Sequence, residues 1–273
     1  MSPLRTPTLL LALAGMGFAQ IGFAQINIQL SKETEQAYDD YVKAAEAKMD
    51  WKARFAVGPA ENSKAGTREF AGKTDKNLII AAGGAEASSL SSIEIKDGLI
   101  HDWAAGIFVP GGTVDKSLAV LQDYEGYKKL YAPQVSESKL LEHKGNKFRV
   151  YLKLNKSKGL ISAVLDSEYE VEYKPLGANR WSKLSRSTKM NEIQFGKVQP
   201  VGTGVGFLWR MNAYWVIEPR PGGVYLECRS ISLSRDIPPG LGWMIKPMVT
   251  NLPRESLRDT MTATAGAMGR AAK

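Results

Sequence analysis

From residue 134 to residue 233 the chain runs through six strand-like segments in succession, at about 134–142, 147–154, 164–173, 180–193, 206–218 and 223–233. Turns separate them, and none of the connections has a helical period. Such a run suits neighbouring antiparallel strands.

Three of the segments carry complementary charge. Lys147, Arg149 and Lys153 alternate with Phe148, Val150, Leu152 and Leu154. In the next segment Asp166, Glu168, Glu170 and Glu172 alternate with Leu165, Tyr169, Val171 and Tyr173. In the third, Lys183 and Lys189 sit at matching parity. Basic, acidic and basic outer faces fit neighbouring strands with opposite charges opposed. Each such pair contributes about 0.2–1 kcal/mol, and together they set register. Three independently solvated faces are the other reading; in both, the acidic stripe is structural rather than catalytic.

In the fifth segment Phe207, Trp209, Met211, Ala213, Trp215 and Ile217 share one face by alternation. Leu208, Arg210, Asn212, Tyr214, Val216 and Glu218 share the other. A face this aromatic either fills a core or lines a cavity in a curved sheet.

The flanks read as helices and a hairpin. Ser31 suits the cap of a helix with Glu33 and Glu35 in its first turn. Tyr38, Tyr41, Val42, Ala45 and Met49 follow at helical spacing, to an end near Ala53. Residues 81–92 are small and loop-like. Ile93 and Ile95 precede Asp97-Gly98, a strong hairpin signal, and residues 99–109 continue as a strand. Thr113 then caps a helix with Leu118, Leu121, Tyr124 and Tyr127 inward. After the strands, 241–249 is an apolar helical stretch. Pro253 suits the first position of a last helix whose stripe is Leu257, Met261, Ala265 and Met268.

Residues 1–24 read as a secretory signal. Arg5 is the positive region, 9–18 is apolar, and small residues allow cleavage after Ala19 or Ala24. The apolar run is shorter than the ~20 residues of a membrane span; a retained N-terminal anchor is the alternative. The expected division is a signal over 1–24, a helical and loop extension over 25–90 and a domain over 91–273, in a secreted or periplasmic protein. Loss of 1–24 removes Arg5 and no acid, taking the net charge from +8 to +7.

One Cys excludes a disulfide framework and Cys-cluster metal sites, and two His argue against a multi-His metal site. No metal and no cofactor are expected. The loop Gly202-Thr203-Gly204-Val205-Gly206 precedes a strand and opens no helix, so it fails as a dinucleotide site. His101 and Trp103 share a strand face with Asp102 opposite, which disfavours a His–Asp pair, and His143 sits in a polar turn. Glu227 and Arg229 share a face; inward they would meet an anionic ligand, outward they would form another charge ladder. No nucleic-acid-binding pattern is present. The basic balance suits acidic ligands or an anionic membrane surface.

Residues 91–270 resemble the START-like superfamily, also called SRPBCC or polyketide cyclase/dehydrase-like. The resemblance is carried by DGLIHDW (97–103), FVPG (108–111), VLQDYEGY (120–127), GFLWR (206–210), GGVYLE (222–227) and ISLSRDIP (231–238). It implies an α+β helix-grip fold: a curved antiparallel β-sheet wrapped around a long C-terminal helix, here with an extra N-terminal helix. It further implies a hydrophobic small molecule or lipid held between sheet and helix. Some members catalyse cyclisation or hydration there, and His101, Glu227 or a Tyr would then be the acid or base. A filled-core interaction module without ligand is a third reading. Parity and stripe nominate Trp103, Phe108, Tyr131, Phe207, Trp209, Met211, Trp215, Met261 and Ala265 as lining residues. On that basis Trp209→Ala is expected to weaken probe binding more than His101→Ala.

Overall fold

The structure, a computed structural model, describes residues 28–49, 69–70, 78–82, 92–158, 161–237 and 242–269. The expected signal segment lies outside the described residues. In chain order the elements are β1 (Ile28–Gln29), α1 (Lys32–Lys48), β2 (Glu69–Phe70), β3 (Leu78–Ala82), β4 (Ile93–Ile95) and β5 (Gly98–Pro110). Then come α2 (Val114–Gln122), a 3-10 turn at Tyr124–Gly126 and α3 (Tyr127–Leu130). The strands continue with β6 (Val135–Lys144), β7 (Lys147–Lys158), β8 (Ile161–Gly177), β9 (Arg180–Gln194), β10 (Lys197–Val198) and β11 (Thr203–Gly204). β12 (Arg210–Arg220), β13 (Gly223–Arg235) and α4 (Gly242–Gly269) complete the chain.

The main sheet has the order β2-β3-β5-β13-β12-β9-β8-β7-β6, and every pairing is antiparallel. The charge ladder is real: Lys147 opposes Glu172, Arg149 opposes Glu170 and Lys153 opposes Asp166. Lys189 opposes Glu168 on β8, with Nζ 3.6 Å from its carboxylate. These pairs are largely exposed and contribute little each; their value is in register.

The expected phase of β9 does not survive. Glu168 pairs with Lys189 but Tyr169 pairs with Ser187, so Thr188 is an extra residue in a bulge. A bulge shifts the alternation by one. Lys189 therefore faces out while Lys183, opposite the inward Tyr173 and Trp215, faces in.

Both faces of the sheet are covered. On one side α1 packs Tyr38, Val42, Ala45 and Met49 against Ile100, Ala104, Tyr214, Val216, Ile231 and Leu233. Ser31 caps it, its Oγ accepting from Thr34 N at 3.1 Å. The helix stops at Lys48, earlier than the expected Ala53. Gly98 lies within strand β5 and the turn residues are Lys96 and Asp97. A Cβ on Gly98 would come within 2.8 Å of Thr34 Cγ2, so this glycine serves the close approach of α1.

On the other side α4, α2 and α3 close over the inner face. The expected helical stretch and last helix are one continuous helix that carries Pro247 and Pro253 inside it. Interior proline removes a backbone hydrogen bond, at about 3 kcal/mol or more, and packing of Leu257, Met261 and Met268 offsets that cost. The expected loop over 81–92 is also shorter: Ala81 and Ala82 end β3, which pairs with β5.

Candidate ligand cavity

A cavity of about 530 Å³ lies between the inner face of the sheet and the middle of α4. On β9 its lining consists of Lys183 and Ser185 toward one end of the strand and Glu192, Ile193 and Gln194 toward the other. Val150, Leu152 and Leu154 of β7, with Val164 and Val171 of β8, form an aliphatic wall. Ser230, Ser232 and Ser234 of β13 and His101 of β5 form a polar one. Leu252, Pro253, Ser256, Leu257 and Thr260 of α4 form the roof.

One end is blind and aromatic. Lys183 is 6% exposed, and its ammonium lies 5.7–5.9 Å from the ring centres of Tyr124, Tyr127, Tyr173 and Trp215. Its Nζ donates to Tyr127 Oη at 3.2 Å. Tyr127 and Tyr173 both donate to the carbonyl of Leu121, at 2.6 and 2.7 Å. Burial pushes the Lys183 ammonium down to about 8, with the nearby Cys228 opposing that shift. Burial pushes the Cys228 thiol and the hydroxyls of Tyr124, Tyr127, Tyr131 and Tyr173 up.

The other end opens past Val205, which is half exposed. Here the glycine-rich loop has a concrete role. Glu192, buried on β9, accepts from Val205 N and Phe207 N, both at 2.6 Å. Gly204, at φ +118°, leaves the space that the Glu192 carboxylate occupies. The loop cradles an anion, as glycine-rich loops do, but the anion belongs to the protein. Between the ends, part-buried Lys156 donates to Ser256 Oγ at 3.1 Å, and burial pushes it down to about 8.

His101 bonds Ser92 Oγ through Nδ1 at 2.6 Å and Ser234 Oγ through Nε2 at 2.9 Å. Burial lowers its pKa to about 4, so it is neutral at pH 7 with both nitrogens engaged. That is a poor general base. Asp102 lies on the opposite face, as alternation requires, and forms a bidentate pair with Arg229 at 2.8 and 2.5 Å while accepting from Tyr41 Oη. Arg229 and Arg210 thus face α1, the latter paired with Glu35 and Asp39; neither lines the cavity. Glu227 is fully buried on the same face as Arg229. His143 stacks on Phe148 in its exposed turn.

Of the nominated lining residues, Tyr131, Phe207, Met211 and Trp215 line the cavity. Trp209 does not: regular strand begins only at Arg210, beyond the left-handed Gly206, and its indole packs under α1. Because His101 lines the cavity and Trp209 does not, the expected order of Trp209→Ala and His101→Ala has lost its basis. Phe108 falls on the outer face of β5, opposite Tyr225. Trp103 is on the inner face but is packed into the core instead of the cavity wall. Met261 and Ala265 belong to the half of α4 that seals against the core, where Thr264 accepts from or donates to Tyr131 Oη at 2.8 Å. Lys183, Ser230, Ser232 and Glu192 went unnominated because a bulge and a tertiary wall place them there. Among the described residues, no group of three or more His, Cys, Asp and Glu is arranged to hold a metal, and no helix is long and apolar enough to cross a membrane.

Comparison with known proteins places this architecture. The STAR-related lipid transfer protein from Xanthomonas axonopodis is similar at 16% identity over 72% of this chain and 97% of that one, with a TM-score of 0.50. Human STARD10 is similar at 11% identity over 89% of this chain and 82% of that one, at 0.47. The Zhui aromatase/cyclase from Streptomyces sp. R1128 is similar at 12% identity over 64% of this chain and 96% of that one, at 0.45. No protein-family model matches the sequence, and no curated protein matches it significantly. The likeness to the Xanthomonas structure and the topology above define the class: this is a START-like, helix-grip fold. Identities this low speak to fold alone.

Proposed function

We propose that this protein binds an apolar or amphipathic, lipid-like small molecule in the cavity under α4. The cavity itself carries the reading. About 530 Å³ falls in the range of ligand sites, with mostly aliphatic and aromatic walls and a few polar groups. A filled-core module would lack that volume. Burying an acyl chain there contributes about 0.8 kcal/mol per CH₂, so affinity needs no catalytic group. Tyr131, Phe207, Met211 and Trp215 are the proposed contacts. The reading includes export directed by residues 1–24 into the periplasm or medium, and a net basic surface suited to approaching an anionic membrane.

The test combines native mass spectrometry of the purified protein with titration by the apolar dye phenylnaphthylamine. Co-purified lipid or saturable dye uptake is the expected result. Ala213→Trp, which fills the cavity from β12, is expected to weaken dye binding about tenfold or more while keeping a cooperative unfolding transition. Trp209→Phe, under α1, is expected to leave it unchanged. Absence of both lipid and dye uptake in the parent protein would overturn the proposal.

A further inference from the structure

Lys183 is the least compensated charge of the cavity. Of its three N–H donors, one reaches Tyr127 Oη. No acidic side chain among the described residues pairs with it. The three surrounding tyrosines are themselves hydrogen-bonded, Tyr127 and Tyr173 to the Leu121 carbonyl and Tyr124 Oη to Tyr173 Oη at 3.0 Å. Their hydroxyl donors are therefore spent inside the wall, and the two remaining ammonium N–H groups have only the cavity to point to. An ammonium in an aromatic box gains some cation–π attraction, but a buried charge without an anion is costly.

We infer that the ligand carries a carboxylate that docks on Lys183, with its hydrocarbon part extending along β9 toward the open end. This rests on the ligand-binding reading above and specifies its ligand class as a long-chain carboxylate. A carboxylate matches the site in number: one negative charge for one positive, and two acceptor oxygens for two free donors. A phosphate or sulfate head would bring further acceptors, and among the described residues the arginine that lines the cavity, Arg235, lies at the other end beside Val205 and Gly206. The aliphatic wall of β7 and β8 begins beside the box, so head and chain are served in the order that an amphiphile needs. Docking restores a full ion pair in a dehydrated site, where such pairs discriminate most strongly.

The test is displacement of phenylnaphthylamine by palmitate and by methyl palmitate, below the solubility limit of each. The parent protein is expected to bind palmitate at least about tenfold more tightly than the ester. Lys183→Met is expected to remove that preference by weakening palmitate alone. Lys156→Met, which alters the second cavity lysine, is expected to preserve it. Equal affinity of the parent protein for acid and ester would overturn the inference and leave lipid binding standing. So would a preference lost in Lys156→Met but kept in Lys183→Met. Failure of both ligands to bind the parent protein would overturn both.

Discussion

Replacing Lys183 with Met should stabilise the ligand-free protein. The two side chains are both unbranched and similar in length, so the change is close to volume-conserving. Burial lowers the Lys183 pKa from 10.5 to about 8. A pKa unit corresponds to about 1.4 kcal/mol, which sets the ionisation penalty near 3 kcal/mol at pH 7. Cation–π attraction from the four rings, about 0.5–2 kcal/mol at such sites, offsets part of it. A net gain of about 1–3 kcal/mol remains, equivalent to roughly 3–10 °C in melting temperature for a domain of this size. The pH dependence identifies the cause. With a depressed folded pKa, the unfolded chain holds the Lys183 proton between pH 8 and 10.5 while the native chain has lost it. Parent stability therefore rises relative to the variant over that window. The titratable groups facing Lys183, namely Tyr124, Tyr127, Tyr173 and Cys228, are all pushed upward and stay neutral there. Lys156 is common to both proteins and cancels. Thermal melts followed by circular dichroism at pH 7 and pH 10.5 measure the gap. A variant that melts below the parent at pH 7, or a gap that does not narrow with pH, would refute the reasoning.

His101, with a folded pKa near 4 against an ordinary 6.5, contributes stability that is complete above pH 6.5 and lost as pH falls toward 4, up to about 3 kcal/mol. His101→Asn should flatten that acid limb in urea melts across the same range. Gly98→Ala should destabilise by about 1–3 kcal/mol through its clash with the Thr34 methyl. Thr34→Ser, which deletes the methyl and keeps the hydroxyl bonded to the Lys96 carbonyl, should recover most of that loss in the double variant.

What local grammar records was legible. Alternation, Asp97-Gly98 and the capping residues Ser31 and Thr113 mark the hairpin, the strands and the caps near where they occur. Phe207, Met211 and Trp215 were legible as inner-face residues for the same reason. The misplacements have one physical source, which is that a period of two holds only while the strand is regular. It fails at Thr188, hiding Lys183 among the outer charges, and it fails before Arg210, turning Trp209 toward α1. The pairing of Arg210 with Glu35 joins residues far apart in sequence, and nothing in either segment announces the other. Helix α4 runs through Pro253 because packing, invisible in a local window, outweighs the lost hydrogen bond.

The extra residue in β9 makes that strand a mixture of two phases. Upstream of Thr188 the odd-numbered side chains, Lys183 among them, belong to the interior; downstream, odd-numbered Lys189 belongs to water. The location of the interior cation is thus governed by its pairing partners, Tyr173 and Trp215, and not by the count of residues that separates the two lysines. Deleting Thr188 would make Ser187 and Lys189 neighbours in regular alternation and leave both lysines on their present faces. Relatives that lack only this residue would present a ligand with the same interior cation on a straighter strand.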